Sequence, residues 1–186
     1  MADLATKDLT KRLTKLGSIF LIAIIILSIS VVATLLIQRV SIFAIAGSSM
    51  EPTLTDRQTV ILKQSKTVEH GEFVFFKKPK SWSDYVDRDT TLVKRITAVP
   101  NDTLSFDGKS FKVNGEDVYD LSKNEYECAK GQKGYEHTLS NKEIFVMGDN
   151  PNHSLDSRRI FCDGNVNEMF IPKYSIVDYG QIVVKF

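Results

Sequence analysis

Between Leu16 and Ile37 the chain carries no charged residue. As an α-helix these 22 residues would cover about 33 Å, enough to cross a hydrocarbon core of about 30 Å. The run is rich in Ile and Val, mediocre helix formers in water. In lipid, however, an unsatisfied peptide group is so costly that a lone span must be helical. Lys7, Lys11, Arg12 and Lys15 precede it, opposed only by Asp3 and Asp8. Such basic flanks stay on the cytoplasmic side. The expected arrangement is therefore a basic tail over 1–15, a transmembrane helix over 16–38 and an extracytoplasmic domain over 39–186. That describes a single-pass protein of the cytoplasmic (inner) membrane, N-terminus inside and bound to the lipid bilayer. A cleaved leader is the competing reading, since Ala44-Ile45-Ala46 before Gly47 has the small-x-small form of a processing site. Leader apolar regions run about 7–15 residues. The longer run here, followed by Arg39, favours a retained anchor.

With the anchor set apart, the composition changes meaning. Across all 186 residues, 24 basic side chains nearly balance 23 acidic ones, and the part after the anchor is faintly acidic. A nucleic-acid binder with a broad basic face is excluded. Two cysteines are too few for a disulfide-built mini-fold or a Cys₄ zinc site. His70, His137 and His153 lack metal-ligand spacing with one another. No metal and no cofactor are expected. Cys128 and Cys162 lie on the exported side, where a disulfide persists; a pair of free thiols is the alternative.

After Arg39 the pattern is of short β-branched or aromatic runs bounded by turn residues, the signature of strands. These are Val40–Ile45, Thr59–Leu62, Phe73–Phe76, Thr91–Val99, Thr103–Phe106, Ser110–Val113, Ile144–Met147 and Gln181–Val184. Asp107-Gly108 predicts a two-residue hairpin, and Asn114-Gly115 offers a second. About Asp120 to Ser140 the chain is polar and reads as an irregular excursion from the sheet, a small insertion. No helical periodicity of useful length appears outside the anchor. The expected fold is mainly β: one transmembrane helix followed by an all-β domain.

Three segments carry candidate chemistry. Gly47-Ser48-Ser49-Met50-Glu51-Pro52-Thr53-Leu54 holds a hydroxyl pair just beyond the anchor, although Ser-Ser turns commonly satisfy only their own backbone. Lys94 shares a strand face with Leu92 and Ile96. If that face is buried, desolvation favours the neutral amine, which can take a proton from a serine hydroxyl; if the amine snorkels to water it cannot. Gly148-Asp149-Asn150-Pro151-Asn152-His153-Ser154-Leu155-Asp156-Ser157-Arg158 is a loop in which Asp156 and Arg158 could pair.

Together these segments resemble the type I signal peptidases, membrane-bound Ser/Lys proteases that remove signal peptides. The carrying motifs are residues 47–54, Gly-Glu-Phe-Val-Phe-Phe (71–76), Val-Lys-Arg-Ile-Thr-Ala-Val-Pro-Asn-Asp (93–102) and residues 148–158, in the family's order behind an N-terminal anchor. The resemblance implies Ser49 as nucleophile and Lys94 as general base, with Ser154 orienting the lysine amine. It assigns Asp156 and Arg158 to bracing the loop, and Gly148, Asp149 and Asn150 to shaping its turn. The Ser49 N–H would serve the oxyanion. Phe43, Ile45, Met50, Leu54 and Val93 would line shallow pockets for small residues at −1 and −3 of an Ala-x-Ala type site. The implied partners are signal-peptide-bearing precursors, bound extended beside the sheet edge, and secretion-system components.

Three departures bear on this. Some members carry a hydroxyl two residues before the nucleophile, where this chain has Gly47. After Arg158 the usual aromatic-Gly ending is replaced by Arg159-Ile160-Phe161-Cys162-Asp163-Gly164. The chain also has little room for the large second β-domain of bigger members; only the excursion at about 120–140 could represent it. Three other readings stay open: a relative that matures one dedicated substrate such as a conjugative pilin, a non-catalytic anchored β-module in a secretion assembly, and a Ser49–His153–Asp triad.

Overall fold

A computed structural model describes residues 2–82, 90–123, 128 and 133–186. Two compact units result, Met1–Val40 and Ser41–Phe186. The first is helix α1, Ala2–Gln38, which takes in the basic tail as well as the apolar run. Its stretch from Lys11 to Thr34 is long and apolar enough to cross a membrane. The hydroxyls of Ser18, Ser28 and Thr34 donate to the carbonyls of Thr14, Ile24 and Ser30, four residues back. Each is thereby satisfied within the helix, as an apolar medium requires.

Strand β1 (Val40–Ala44) begins at the boundary, and the second unit contains the rest of it with β2 (Thr59–Gln64), β3 (Phe73–Lys77), β4 (Thr91–Ala98), β5 (Thr103–Phe106), β6 (Ser110–Val113), β7 (Glu116–Asp120), β8 (Tyr135–Thr138), β9 (Glu143–Met147), β10 (Ile171–Pro172) and β11 (Ile176–Lys185). A seven-stranded sheet runs β1-β2-β11-β3-β4-β9-β10, and a four-stranded sheet runs β7-β6-β5-β8. From β2 to β10, and throughout the smaller sheet, neighbours are antiparallel.

Alternation along β3 explains its unbroken apolar sequence. Val74 and Phe76 enter the larger core, whereas Phe73 and Phe75 enter a smaller one with Ile45, Met50, Leu54, Val60, Leu62 and Val93. Both faces of the strand are covered, so no polar alternation is possible. The larger core also takes Leu104, Phe106, Phe111 and Val113 from the small sheet and Phe161 from a short helix.

Three sequence expectations need correction. The excursion at 120–140 is not simply irregular, because its end, Tyr135–Thr138, is β8, paired with β5 in register Thr103↔Thr138. The second β unit is therefore the whole of β5–β8; residues 124–127 and 129–132 lie outside the described structure. The hairpin at Asp107-Gly108 is longer than two residues. Its flanking pair is Phe106↔Phe111, and the Asp107 carboxylate accepts from the N–H groups of Lys109 and Ser110. The second turn does have the two-residue form: Asn114 and Gly115 have φ of 52° and 85°, the left-handed pair such a hairpin requires. Finally, a helix, α2 (Ser157–Cys162), occupies the departure after Arg158. At six residues it is too short to show a period.

Candidate active site

Ser49 stands within the turn that follows β1, and Lys94 stands mid-way along β4. Lys94 Nζ lies 2.7 Å from Ser49 Oγ and 2.9 Å from the Val93 carbonyl oxygen. The lysine is only 2% exposed. Burial pulls its amine down from 10.5 to about 8, Asp156 pulling the other way and Arg158 reinforcing the fall. Neighbouring residues of β4 face opposite sides: Ile96 joins the larger core and Val93 the smaller. Lys94 thus shares the face of Ile96, and at 2% exposure its amine does not snorkel to water.

The loop after β9 holds Ser49 in place. Asn150 donates its backbone N–H to the Ser49 carbonyl and its side-chain amide to the Ser48 carbonyl, both at 3.1 Å. A Cβ at Gly148 would lie 2.6 Å from the Ser49 carbonyl oxygen and 2.1 Å from Ser154 Oγ. Only glycine fits between nucleophile turn and loop. Among the described hydrogen bonds, none uses the Ser49 N–H.

Behind the loop sits a buried carboxylate. Asp156 is 0% exposed and accepts from the Gly148 N–H at 2.8 Å, the Ser154 hydroxyl at 2.6 Å, the Arg158 N–H at 3.0 Å and the Arg158 side chain. It also caps α2, an N-terminal role that suits an aspartate. Burial pushes its carboxyl up, but the Arg158 charge and these donors prevail and hold it below the usual range. Arg158 also donates to the Gly148 carbonyl at 2.8 Å and packs 4.3 Å from the Tyr119 ring centre. The Ser154 hydroxyl donates to Asp156, and the described hydrogen bonds of Lys94 go to Ser49 and Val93.

The five expected pocket residues gather in the smaller core. Ile45, Met50, Leu54 and Val93 are buried there and half-buried Phe43 packs on it, stacked on Phe75 at 3.7 Å. His70 contacts Asp102 and His137 contacts Glu143, while the His153 side chain is exposed. No described hydrogen bond joins His153 to Ser49. The sulfurs of Cys128 and Cys162 lie at bonding distance, Cα atoms 4.0 Å apart.

The family model described as signal peptidase, peptidase S26, matches residues 13–185. The chain belongs to that family. Among its relatives, signal peptidase I S of Bacillus subtilis is 34% identical over 147 residues, covering 70% of this chain and 73% of the relative. Signal peptidase I U of the same organism is 27% identical over 158 residues, covering 80% of each. A solved signal peptidase I from Enterococcus faecalis aligns with a TM-score of 0.40 and 17% identity, over 61% of this chain and 96% of that one; a superposition at that level says nothing about function. Family membership makes the chain a protease that acts on signal-peptide-bearing precursors, and with α1 it makes the protein membrane-anchored.

Within this signal peptidase, two residues near the site escaped sequence reasoning. Arg95 makes a two-pronged pair with Asp149, at 2.9 and 2.6 Å, and donates to the Gly71 carbonyl. Its neighbour Lys94 drew attention because its strand face is apolar; Arg95, on the other face, was quoted only as part of the 93–102 motif and given no role. Tyr119 was hidden by distance, since only the folded chain brings β7 to Arg158.

Proposed function

We propose that the protein cleaves signal peptides from exported precursors after a small residue, with Ser49 as nucleophile and Lys94 as general base. Neutral Lys94 takes the proton from Ser49 Oγ as the oxygen bonds to the scissile carbonyl carbon. The C–N bond then breaks, the proton passes to the departing amine, and the signal peptide remains as an ester on Ser49. Water, deprotonated by the same amine, hydrolyses that ester and restores the hydroxyl. The Ser49 N–H, with no described partner, is the natural donor to the oxyanion. Asp156, Arg158, Gly148, Asp149 and Asn150 hold the turn, and Ser154 acts through Asp156. The smaller core backs the pockets for the −1 and −3 side chains, reached at its surface through Phe43.

The substrate has a strand to pair with. β9 meets β4 at Arg95↔Met147 and Ile96↔Val146. On that side the described pairing leaves Thr91–Lys94 open, so an extended signal peptide can add there as a strand. The positive-inside pattern of the tail orients this domain outside the cytoplasmic membrane, where precursors emerge.

The observation that carries this reading is a buried amine, shifted toward neutrality, 2.7 Å from a serine hydroxyl. Its test is cleavage of an Ala-x-Ala precursor by the full chain in detergent. Ser49→Ala and Lys94→Arg should each abolish it with circular dichroism unchanged. Substantial turnover by either variant would sink the pairing.

A further inference from the structure

Beyond the loop that holds Ser49 lies a cleft of about 640 Å³, within the range of ligand sites. Its near wall is Arg95, Thr97 and Asp149, and its far wall, from the small sheet, is Glu116, Val118 and Tyr119. Neither Ser49 nor Lys94 lines it. We propose that this cleft receives the first residues of the mature segment, the part of the precursor released as a new N-terminus, and favours a basic residue there. The inference rests on the Ser49/Lys94 reading above.

The order of residues along β4 carries it. Val93 belongs to the apolar cluster, Lys94 adjoins Ser49, and Arg95 and Thr97 line the cleft. A peptide lying beside Thr91–Lys94 and running the same way as β4 cannot continue along the strand, because β9 occupies the next places, starting with Met147 opposite Arg95. It must lift over Gly148 and Asp149, and the cleft opens at those residues. The signal-peptide side of the substrate thus meets apolar cover, and the mature side meets a polar trough.

Charge selects the occupant. Arg95 is paired with Asp149 and Arg158 with Asp156. Glu116 is exposed and has no ion pair among the described residues. The cleft's uncompensated charge is therefore negative. Val118, 37% exposed, offers an apolar patch on the same wall.

The test uses the full chain in detergent and peptides with one signal sequence. A short peptide ends as an amide one residue past the scissile bond; a long one continues into the mature segment, with Lys or Asp early in it. The long peptide should exceed the short one in kcat/KM by about tenfold, and Lys should exceed Asp by about threefold. Val118→Trp should remove the advantage of length, and Glu116→Lys should reverse the preference between Lys and Asp. Equal cleavage of long and short peptides by the wild-type chain, or unchanged ratios in both variants, would overturn the assignment. Cleavage of the short peptide by Ser49→Ala would instead count against the nucleophile and leave the cleft to be judged by the ratios.

Discussion

Two buried cations feel the charge of one carboxylate and meet different fates. Lys94 and Arg158 are 2% and 1% exposed, so desolvation bears on both. Arg158 touches Asp156 directly, through two side-chain donors, and keeps its charge in an ion pair. Lys94 has only a hydroxyl and a backbone carbonyl as described hydrogen-bond partners, and its amine falls to about 8. A buried amine held by neutral acceptors falls toward neutrality, whereas a guanidinium stays charged whatever its burial and is matched here by a carboxylate. The arrangement keeps a permanent charge for structure beside a removable one for chemistry.

Replacing the removable cation should give the largest effect. Lys94→Met should lower kcat/KM by at least about 10³-fold, as loss of an essential base does. It should also stabilise the fold by about 2 kcal/mol near pH 7, because the wild-type chain must bury an ammonium there that methionine omits. The two measurements are precursor cleavage and thermal unfolding of the full chain in detergent. A drop in both would mean that Lys94 holds the fold together and is not held under strain by it.

Breaking the permanent pair comes next. Asp156→Asn leaves Arg158 charged, buried and short of its partner, a change that costs about 3–5 kcal/mol. Asp156 also raises the Lys94 amine, so whatever activity survives should have its pH limb displaced toward acid. A well-folded variant with an unmoved limb would separate the two cations and refute the coupling.

The pH profile of the wild-type chain follows with a smaller range. The working form of Lys94 is neutral, so the rate should rise with pH and level off above about 8. At pH 6 it should lie about a hundredfold below the plateau. The stability consequence has the same sign. Between about 8 and 10.5 the unfolded lysine binds more protons than the folded one, so stability rises with pH across that window. A rate flat from about pH 6 to 10 would show that the base is not this amine.

How far such contrasts can be read from sequence depends on whether the cause is local. The anchor declares itself by an absence of charge, and β3 by an unbroken apolar run. The turn at Asn114-Gly115 shows because left-handed backbone favours those two residues. Lys94 was ambiguous for a physical reason: β4 is covered on both faces, so Val93 and Ile96 are both core residues and gave no clue to where the amine between them ends. Strand β8 was missed because Tyr135-Glu136-His137-Thr138 is half exposed and mostly polar. It is a strand by virtue of β5 beside it and the Tyr135 ring packed on Phe161 at 5.2 Å. The bond from the Ser154 hydroxyl to the carboxylate two residues on was not legible in the sequence.

The smallest effect should come from the second ion pair near the loop. Arg95 and Asp149 are 31% and 17% exposed as side chains, and water still reaches both. Asp149 lies below the usual carboxylate range even though burial pushes it up, because hydrogen bonds from Arg95 and Thr53 outweigh that cost. Asp149→Asn keeps the shape and an acceptor for Arg95 and Thr53, and leaves the guanidinium charge in contact with solvent. With that screening the expected loss is about 1 kcal/mol, well below that of Asp156→Asn. Urea unfolding of both variants in the same detergent makes the comparison directly. Equal losses would mean that solvent access does not separate the two pairs. A loss confined to Asp156→Asn would identify the buried carboxylate as the one on which the Ser49 turn depends.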